Sequence, residues 1–597
     1  MTTPEKVESA ASQQMRDNLA RIETLTTRLL DAVTHKRTPN PALEGPGMDL
    51  YVASSAAYVK ALAEHPAKIF ETQVKYWGEA MTHYLEATHA FAQGTMQPPA
   101  DPGPKDRRFA NPLWDSHPYF NFVKQQYLIA SKAIEEGAAQ IEGLDPVNRR
   151  RLDYFTRQII DLMAPTNFLA TNPDALERAV ATEGESLVRG LENLVRDIEA
   201  NKGDLIVTLS DKNAFAVGEN IGTAVGSVVY RNRMMELIQY APTTETVHKT
   251  PLIIFPPWIN KFYILDLKPQ NSLIRWIVDQ GFTLFVVSWK NPDASYADVG
   301  MEDYITEGYL TALEEVKKIT GEPKVNAVGY CIAGTTLSLT LSLLNKRKDR
   351  SINSATFFTT LTDFSDQGEF TTFLQDDFVN GIAAQCRADG VLSSYFMTRT
   401  FSFLRANDLI YQPAIRAYML GESPPAFDLL YWNGDSTNLP GKMAMQYLRG
   451  LCQEDAFTGA GFELFGEMLH VRDVKVPLCA IACETDHIAP WVSSFTGVAQ
   501  MGSKDKTFIL SESGHIAGIV NPPSKKKYGH YTSSVPVDDP AEWKAAAEYH
   551  EGSWWPRWGS WLAERSGKKI PARPVGDADH PALCPAPGSY VSEVVVV

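Results

Sequence analysis

The chain has 597 residues, of which 44% are apolar and 21% are charged, and its net charge is −15. This composition is typical of a globular protein large enough for more than one domain, and the negative charge gives a nucleic-acid partner little electrostatic support. Residues 1–21 are polar and lack the apolar core of a secretory signal. The sequence contains no run of about 18 apolar residues, the length that a membrane-spanning helix needs. We therefore expect a cytoplasmic protein with no nucleic-acid partner and no membrane span.

Six cysteines lie at positions 331, 386, 452, 479, 483 and 584. They are too sparse for a disulfide scaffold, which favours a reducing compartment. Cys479, Cys483 and His487 are spaced by four residues, as metal ligands can be, but their segment has the apolar pattern of a strand. We predict no metal site.

Residues 1–204 are predicted to form an all-helical N-terminal domain, with an amphipathic stretch at 19–33 and a Pro-, Asp- and Gly-rich loop at 96–104. A second stretch repeats apolar residues mostly at steps of four and three: Phe70, Val74, Trp77, Met81, Tyr84 and Phe91. Such a narrow seam is typical of packing inside a helical bundle. It also fits a docking face for another subunit, a partner protein or an apolar surface.

Residues 205–597 alternate apolar strands with amphipathic helices. Strands are predicted at 251–258, 283–289, 325–330, 355–364, 477–482 and 507–510, and helices at 301–320 and 331–344. The alternation predicts an α/β domain with a mostly parallel sheet, in which ligands bind beyond the carboxyl ends of the strands. Between about 366 and 471 the alternation stops and aromatic residues accumulate. This insertion is predicted to form a cap over that edge, and a helical subdomain with its own core is compatible with it.

The segment GYCIAG at residues 329–334 joins a predicted strand to a helix and has the pattern of a nucleophile elbow, with Cys331 in place of serine. The sharp turn strains the backbone of the nucleophile, and the N-terminus of the helix favours a thiolate. We expect the backbone N–H of Ile332 to donate to an oxyanion, with a second donor near Trp258 or Ile259. A buried structural cysteine is the alternative interpretation.

Two later segments supply the partners that such a nucleophile needs. Asp486 follows a predicted strand, and His515 lies in the segment SGHIAG at residues 513–518. The order nucleophile, acid, histidine is that of α/β-hydrolases, so we predict a Cys331–Asp486–His515 triad with His487 as a neighbouring group. An acyl-cysteine is itself a thioester and stays activated, which favours acyl transfer over hydrolysis in a site that excludes water.

Several longer segments resemble those of the polyhydroxyalkanoate synthases, and the resemblance covers nearly the whole chain. They are DRRF at 106–109, NP at 111–112 with Trp114, PPWINKFYILDL at 256–267, VSWKNP at 287–292, GYCIAG at 329–334, RANDL at 405–409, YWNGDSTNLP at 431–440, GHIAG at 514–518, NPP at 521–523 and GSWWP at 552–556. The elbow departs from the G-x-C-x-G-G pattern of the family at Ala333. On these motifs the chain is identified as a member of this family, of the class I type.

The resemblance implies an α/β-hydrolase fold with a cap, preceded by a helical domain. It implies an enzyme that polymerises (R)-3-hydroxyacyl-CoA into polyester with release of CoA. Cys331 would be the nucleophile, His515 its base and Asp486 the acid, with either of the last two activating the 3-hydroxyl of the incoming unit. The class I type implies short-chain units such as 3-hydroxybutyryl-CoA.

The resemblance implies no cofactor, because CoA is part of the substrate and a product. It implies a homodimer formed through the cap, with Trp432 as the first interface candidate, and granule-associated partners for the N-terminal domain at the granule surface. His487, Arg405, Asn260 and Trp432 are predicted to support the site or line the substrate channel. The charge of CoA predicts a basic entrance. The three lysines at 525–527 are candidates for it, and a solvated surface run is the alternative.

Two other functions remain open from the sequence. A thioesterase or polyester depolymerase of the same fold would pass the acyl group of Cys331 to water. A scaffold protein that coats granules would use the apolar seam of the N-terminal domain and would tolerate replacement of Cys331.

Overall fold

The computed structural model describes residues 10–34, 56, 66–93, 106–535 and 537–593, which belong to two compact units. The first unit consists of Met1–Asp211 and Arg399–Pro425, and the second of Lys212–Thr398 and Ala426–Val597. The predicted domain boundary at 204/205 lies close to this division. Part of the predicted cap, residues 399–425, belongs to the first unit.

In the described part of the first unit, the regular secondary structure is helical. Its α-helices are Ala10–Thr34, Pro66–Gln93, Leu113–Ser116, Pro118–Ala139, Pro146–Leu162, Pro173–Ala181, Glu185–Ala200, the end of Ser394–Leu404, and Gln412–Ala414; Asn407–Tyr411 and Ile415–Met419 are π-helical, and Arg107–Phe109, Pro165–Asn167 and Leu169–Thr171 are 3-10 turns. Two helix starts are capped by side chains. Asp145 accepts from two backbone N–H groups and Asn172 from one, each directly before a proline at the first helical position.

The apolar seam predicted for residues 70–91 lies on one long helix, Pro66–Gln93. Four of its members are more than half exposed: Val74, Trp77, Met81 and Tyr84. The helix buries another face, where His83 stacks on Phe122 of the Pro118–Ala139 helix at 5.5 Å between ring centroids. The prediction of packing inside a bundle is therefore wrong for Val74, Trp77 and Met81, whereas the half-exposed ring of Tyr84 contacts Phe122 edge-on at 6.2 Å. The side chains of Phe70 and Phe91 and the predicted loop at 96–104 lie outside the described residues.

The second unit is built on an eleven-stranded sheet. In chain order its strands are β1 Gly226–Arg231, β2 Met235–Tyr240, β3 Leu252–Phe255, β4 Leu284–Trp289, β5 Val325–Tyr330, β6 Ile352–Phe358, β7 Leu478–Cys483, β8 Lys506–Ser511, β9 His530–Thr532, β10 Glu548–His550 and β11 Cys584–Pro585. The spatial order is β10-β9-β8-β7-β6-β5-β3-β4-β2-β1-β11. The central strands from β8 to β4 are parallel, and the strands outside them are antiparallel. The predicted strands are the central ones, so the mostly parallel core is confirmed.

Helices and smaller strand pairs complete the second unit. The helices are Leu273–Asp279, Met301–Asp303, π-helical Tyr304–Leu310, Thr311–Thr320, Ile332–Lys346, Asp376–Asp389, the start of Ser394–Leu404, Asp428–Asn433, Gly441–Met445, π-helical Gln446–Gln453, Trp491–Gln500, Pro540–Ala546 and Trp555–Glu564. The 3-10 turns are Phe262–Asp266, Pro269–Asn271, Ala294–Tyr296, Gly368–Phe373, Val471–Asp473, Pro523–Lys525 and Tyr590–Ser592. The strand pairs are Thr246–His248 with Lys569–Pro571, Val391–Leu392 with Leu439–Pro440, and Phe462–Leu464 with Glu467–Leu469.

The core of the second unit lies on the central strands. Every residue of β2, β3, β4, β5 and β7 is buried, and the indoles of Trp554 and Trp558 pack on Phe358 at centroid distances of 5.3 and 5.5 Å. Aromatic side chains of this size bury a large apolar area and stabilise the sheet. In the part of the chain that the structure describes, no helix is long and apolar enough to cross a membrane.

Candidate active site

The turn between β5 and the Ile332–Lys346 helix places Cys331 in a backbone conformation that non-glycine residues rarely adopt, with φ 54° and ψ −126°. The surrounding structure holds this strain. The backbone N–H of Cys331 donates to the carbonyl of Phe358 at 2.7 Å, and the Thr360 hydroxyl donates to the carbonyl of Cys331 at 3.2 Å. The side chain is half-buried at the N-terminus of the helix, as a nucleophile elbow requires.

Two glycines of the elbow are required by space. A Cβ on Gly329 would lie 2.5 Å from the Cα of Gly334, and a Cβ on Gly334 would lie 2.0 Å from the Thr360 hydroxyl oxygen. Ala333, where the sequence departs from the family pattern, is fully buried, and its carbonyl accepts a hydrogen bond from Tyr309 at 2.8 Å. The methyl group at 333 is therefore accommodated, and the close approach of strand to helix depends on Gly329 and Gly334.

Asp486 and His515 follow the carboxyl ends of the adjacent parallel strands β7 and β8. Their side chains meet with Asp486 Oδ2 at 2.7 Å from His515 Nδ1, and both are buried. The other carboxylate oxygen, Oδ1, accepts from the backbone N–H groups of Ile488 and Ala489 at 2.8 and 2.9 Å. The carboxylate is thus fixed on one side by backbone and on the other by the imidazole, which orients the ring.

The charge state of His515 depends on both partners. Burial of His515 opposes a charged ring, but the charges of Asp486 and Cys331 and the hydrogen bonds to both outweigh it, so the pKa of His515 is raised well above its usual value. Since Nδ1 is bonded to Asp486, Nε2 is the ring nitrogen left to interact with Cys331. Tyr330 holds the ring from the side, with its hydroxyl 3.3 Å from the His515 carbonyl oxygen and its ring stacked at 6.0 Å. This arrangement favours a thiolate–imidazolium pair.

The two backbone donors predicted for an oxyanion belong to elements that adjoin the elbow. Ile332 is the first residue of its helix, where N–H groups have no partner within the helix. Trp258 follows β3, whose Phe255 pairs with Gly329 of β5. The indole of Trp258 donates to the Thr336 hydroxyl at 3.2 Å, one turn into the Ile332–Lys346 helix.

A segment of the predicted cap lies on the loop after β3. Asn260 donates to the Ser436 hydroxyl at 3.3 Å, and the indole of Trp432 donates to the carbonyl of Lys261 at 2.7 Å. Trp432 is only 5% exposed. The prediction of Trp432 as an interface residue is therefore wrong for the chain as folded, because its side chain is enclosed within the second unit.

The remaining predicted residues are placed as follows. Arg405 belongs to the first unit, where its exposed side chain lies 3.8 Å from Asp408. His487 follows Asp486 directly and is half-buried. Cys479 and Cys483 lie in the buried strand β7, and among the described residues no group of three or more His, Cys, Asp or Glu side chains is arranged to hold a metal ion.

Sequence reasoning missed two residues that contact this site. Tyr330 packs on His515 as described above. Thr437 is 1% exposed and donates to the carbonyl of Trp258 at 2.8 Å. Both lie inside segments that carried the family resemblance, at 329–334 and 431–440, so membership of a motif was the available signal.

Comparison with known proteins gives consistent matches along the chain. The sequence profile described as "Poly-beta-hydroxybutyrate polymerase (PhaC) N-terminus" matches residues 105–277, and the profile "alpha/beta hydrolase fold" matches residues 251–522. The chain is 42% identical over 528 residues to a poly(3-hydroxyalkanoate) polymerase of Methylorubrum extorquens, covering 88% of this chain and 87% of that protein. It is 40% identical over 526 residues to the poly(3-hydroxyalkanoate) polymerase subunit PhaC of Rhizobium meliloti, with coverages of 88% and 86%. It is 38% identical over 538 residues to the subunit of the same name from Cupriavidus necator, with 88% of each chain covered.

Proposed function

The chain belongs to the poly(3-hydroxyalkanoate) polymerase family, and from that premise we propose that it works through an acyl-enzyme on Cys331, with His515 as base and Asp486 orienting the histidine. The family and the α/β-hydrolase fold predicted from the sequence are confirmed. The chain is a transferase that polymerises hydroxyalkanoate units into polyester. The covalent mechanism, the size of the units and the partners are our proposal.

The first step is acylation of Cys331. The thiolate attacks the thioester carbonyl of (R)-3-hydroxyacyl-CoA, and the oxyanion accepts hydrogen bonds from the N–H of Ile332 and from the loop after β3. When the tetrahedral intermediate collapses, the bond to the CoA sulfur breaks, and His515 gives its proton to the departing CoA thiolate. One thioester replaces another, so the acyl group stays activated. The observation that carries the proposal is the 2.7 Å contact of Asp486 with His515, whose pKa the charge of Cys331 also raises.

The second step forms the ester. The 3-hydroxyl of the next unit attacks the acyl-Cys331 carbonyl, its proton passes to Nε2 of His515, and the Cys331 sulfur leaves as thiolate. The sequence leaves open whether His515 or Asp486 is the base. The contacts favour His515, because one oxygen of Asp486 accepts from two backbone N–H groups and the other accepts from the imidazole. Both oxygens of Asp486 are therefore already hydrogen-bonded within the chain.

We propose (R)-3-hydroxybutyryl-CoA as the preferred substrate, following the class I resemblance. The lysines at 525–527 are exposed, directly after the histidine loop. Lys527 Nζ lies 4.7 Å from the ring centroid of Tyr528, and hydrogen bonds with Lys527 and Ser513 lower the pKa of the Tyr528 phenol. A basic patch in this position would attract the phosphates of CoA. The proposed reaction uses only groups of this chain and its substrate, so we propose that it needs no cofactor.

The proposed partners and location follow from an exposed surface of the helical unit and from the family resemblance. The exposed strip Val74, Trp77, Met81 and Tyr84 is apolar and contiguous along one helix, as a surface that binds a granule protein or the polyester would be. We propose a cytoplasmic enzyme at the granule surface. We keep the homodimer as part of the proposal, without Trp432 as its contact.

A thioesterase of the same fold is the second candidate. It shares the nucleophile, the histidine and the oxyanion donors, and differs in the acceptor, which is water instead of a 3-hydroxyl. The family assignment favours the polymerase, and the products distinguish the two.

The test measures free thiol released from (R)-3-hydroxybutyryl-CoA and analyses the products. We expect CoA and insoluble polyester from the wild type, and neither from Cys331→Ala. The matched control is Cys584→Ala, because Cys584 is also free and half-buried but lies in the edge strand β11. It should retain both products.

Each alternative result has a definite meaning. CoA with free 3-hydroxybutyrate as the only other product would identify a thioesterase. Polyester from Cys331→Ala would exclude the acyl-cysteine mechanism. A rate that rises with longer acyl chains would exclude the short-chain preference and leave the mechanism intact.

A further inference from the structure

We propose that Thr437 is a positioning residue for acyl transfer: it fixes the loop after β3 so that the N–H groups of its peptides face the oxyanion. The inference rests on the proposed acyl-Cys331 mechanism, and it assigns a task to a residue of the cap segment. Thr437 itself touches neither the nucleophile nor the histidine in this scheme. It acts through the backbone of Trp258 and Ile259.

The loop lies beside the nucleophile because of the sheet. Phe255 at the end of β3 pairs with Gly329 of β5, two residues before Cys331. Three residues further along, the indole of Trp258 donates to the Thr336 hydroxyl at 3.2 Å, on the helix that begins after Cys331. The loop is therefore anchored to both elements that form the elbow.

Thr437 donates hydrogen bonds to two successive backbone carbonyls of this loop. Its hydroxyl donates to the carbonyl of Trp258 at 2.8 Å, and its backbone N–H donates to the carbonyl of Ile259 at 3.1 Å. In a planar trans peptide the N–H points opposite to the C=O. The N–H groups of Ile259 and Asn260 are consequently directed away from Thr437. An acyl oxygen on Cys331 needs its second donor from this loop.

Thr437 is held independently of the loop that it fixes. The next residue, Asn438, is fixed by two hydrogen bonds to the loop after β4. Its backbone N–H donates to the Asn291 side chain at 2.9 Å, and its side-chain amide donates to the carbonyl of Pro292 at 3.1 Å. Thr437 is 1% exposed, so water does not compete for its hydroxyl. The threonine therefore connects the loops after β3 and β4 rigidly, which a donor needs if it is to be in place before the oxyanion forms.

The test compares Thr437→Val with Thr437→Ser. Valine keeps the shape and removes the hydroxyl, whereas serine keeps the hydroxyl. We expect Thr437→Val to lower kcat for CoA release about tenfold to a hundredfold, with KM within about twofold of the wild type. This loss is at most the roughly 10²-fold cost of a misplaced group and smaller than the roughly 10²- to 10³-fold cost of removing an oxyanion donor outright. Thr437→Ser should restore kcat to within about threefold.

A second readout separates the oxyanion from general damage to the site. Alkylation of Cys331 by iodoacetamide needs the thiolate but forms no oxyanion. We expect the alkylation rate of Thr437→Val to match that of the wild type although its kcat is low. Thr340→Val is the matched control, since its buried hydroxyl also donates to a carbonyl, at 2.8 Å within the Ile332–Lys346 helix. Its kcat should stay near that of the wild type.

The outcomes are distinguishable. A kcat for Thr437→Val within twofold of the wild type, or a parallel fall in kcat and alkylation rate, would overturn the positioning role. If Thr437→Val does not fold, as judged by circular dichroism, Thr437→Ala replaces it under the same criteria. Cys331→Ala is assayed alongside: if it keeps its activity, the proposed mechanism fails, whereas an inactive Cys331→Ala with an unaffected Thr437→Val overturns only the role of Thr437.

Discussion

Replacing Asp486 by asparagine should reverse the tautomer of His515. Oδ1 of Asp486 accepts from the N–H groups of Ile488 and Ala489, so in Asp486→Asn the amide oxygen takes that position. The amide NH₂ then faces Nδ1 of His515 at the place of the present 2.7 Å contact. Nδ1 must become the acceptor, which puts the ring proton on Nε2, the nitrogen left to interact with Cys331.

The size of the effect follows from burial and charge. The Asp486–His515 hydrogen bond is charge-assisted and shielded from water, so its loss alone costs about 1.5–3 kcal/mol. The wrong tautomer adds to this, and the same exchange in a serine-protease triad lowers kcat about 10⁴-fold. We expect kcat for CoA release to fall about 10³- to 10⁴-fold in Asp486→Asn, which corresponds to about 4–5.5 kcal/mol.

The assay measures kcat and the pH dependence of Cys331 alkylation. Burial lowers the pKa of His515, but Asp486 and Cys331 raise it well above its usual value, so the imidazolium persists as the pH rises through neutrality. At about pH 6 alkylation should therefore be faster in the wild type than in Asp486→Asn, whose alkylation rate should rise steeply toward pH 8. Asp363→Asn is the control, another buried carboxylate that accepts from a backbone N–H. A fall in kcat of less than tenfold, or a flat alkylation profile in Asp486→Asn, would refute the reasoning.

Three further predictions concern the elbow, the basic loop and the fold. Gly334→Ala should lower the melting temperature and reduce kcat more than tenfold, because its Cβ would lie 2.0 Å from the Thr360 hydroxyl oxygen, whereas Ala333→Gly should change kcat less than threefold. Exchange of the lysines at 525–527 for glutamine should raise KM for the acyl-CoA several-fold at low salt and less at high salt. The same exchange of the basic residues at 346–348 should leave KM unchanged, and an equal rise of KM in both variants would refute a basic entrance. Glu236→Gln should lower the free energy of unfolding, measured by urea titration, by about 1.5–3 kcal/mol, because this buried carboxylate accepts hydrogen bonds from the backbone N–H groups of Ser589 and Tyr590. An unchanged free energy of unfolding would contradict this prediction.

The central sheet and the positions of Cys331, Asp486 and His515 after its strands were predictable because their signals are local. Each of the parallel strands is a short apolar run, and Cys331, Asp486 and His515 each follow such a run in the order that the fold uses. The carboxyl ends of parallel strands meet at one edge, so the sequence also predicts that these residues lie close together.

The missed features depend on partners far away in the chain. Strand β2 contains Glu236 and Gln239, which break its apolar pattern, yet both are buried because the C-terminal part of the chain supplies their hydrogen bonds, Ser589 lying 353 positions from Glu236. Thr437 reaches the carbonyl of Trp258 across 179 positions, and nothing in its own surroundings in the sequence indicates that contact. The bundle prediction for the apolar seam on the Pro66–Gln93 helix failed for another reason. A helical period identifies the apolar face of a helix, but it does not show whether another element covers that face.

The most direct test of the account locates the acyl group during a single turnover. The wild type is mixed with less than one equivalent of (R)-3-hydroxybutyryl-CoA, quenched in acid, digested and mapped by mass spectrometry. The account predicts a hydroxybutyryl adduct on the peptide that contains Cys331, formed at the rate of CoA release and absent in Cys331→Ala. An adduct on another residue, or CoA release and polyester formation in Cys331→Ala, would contradict it.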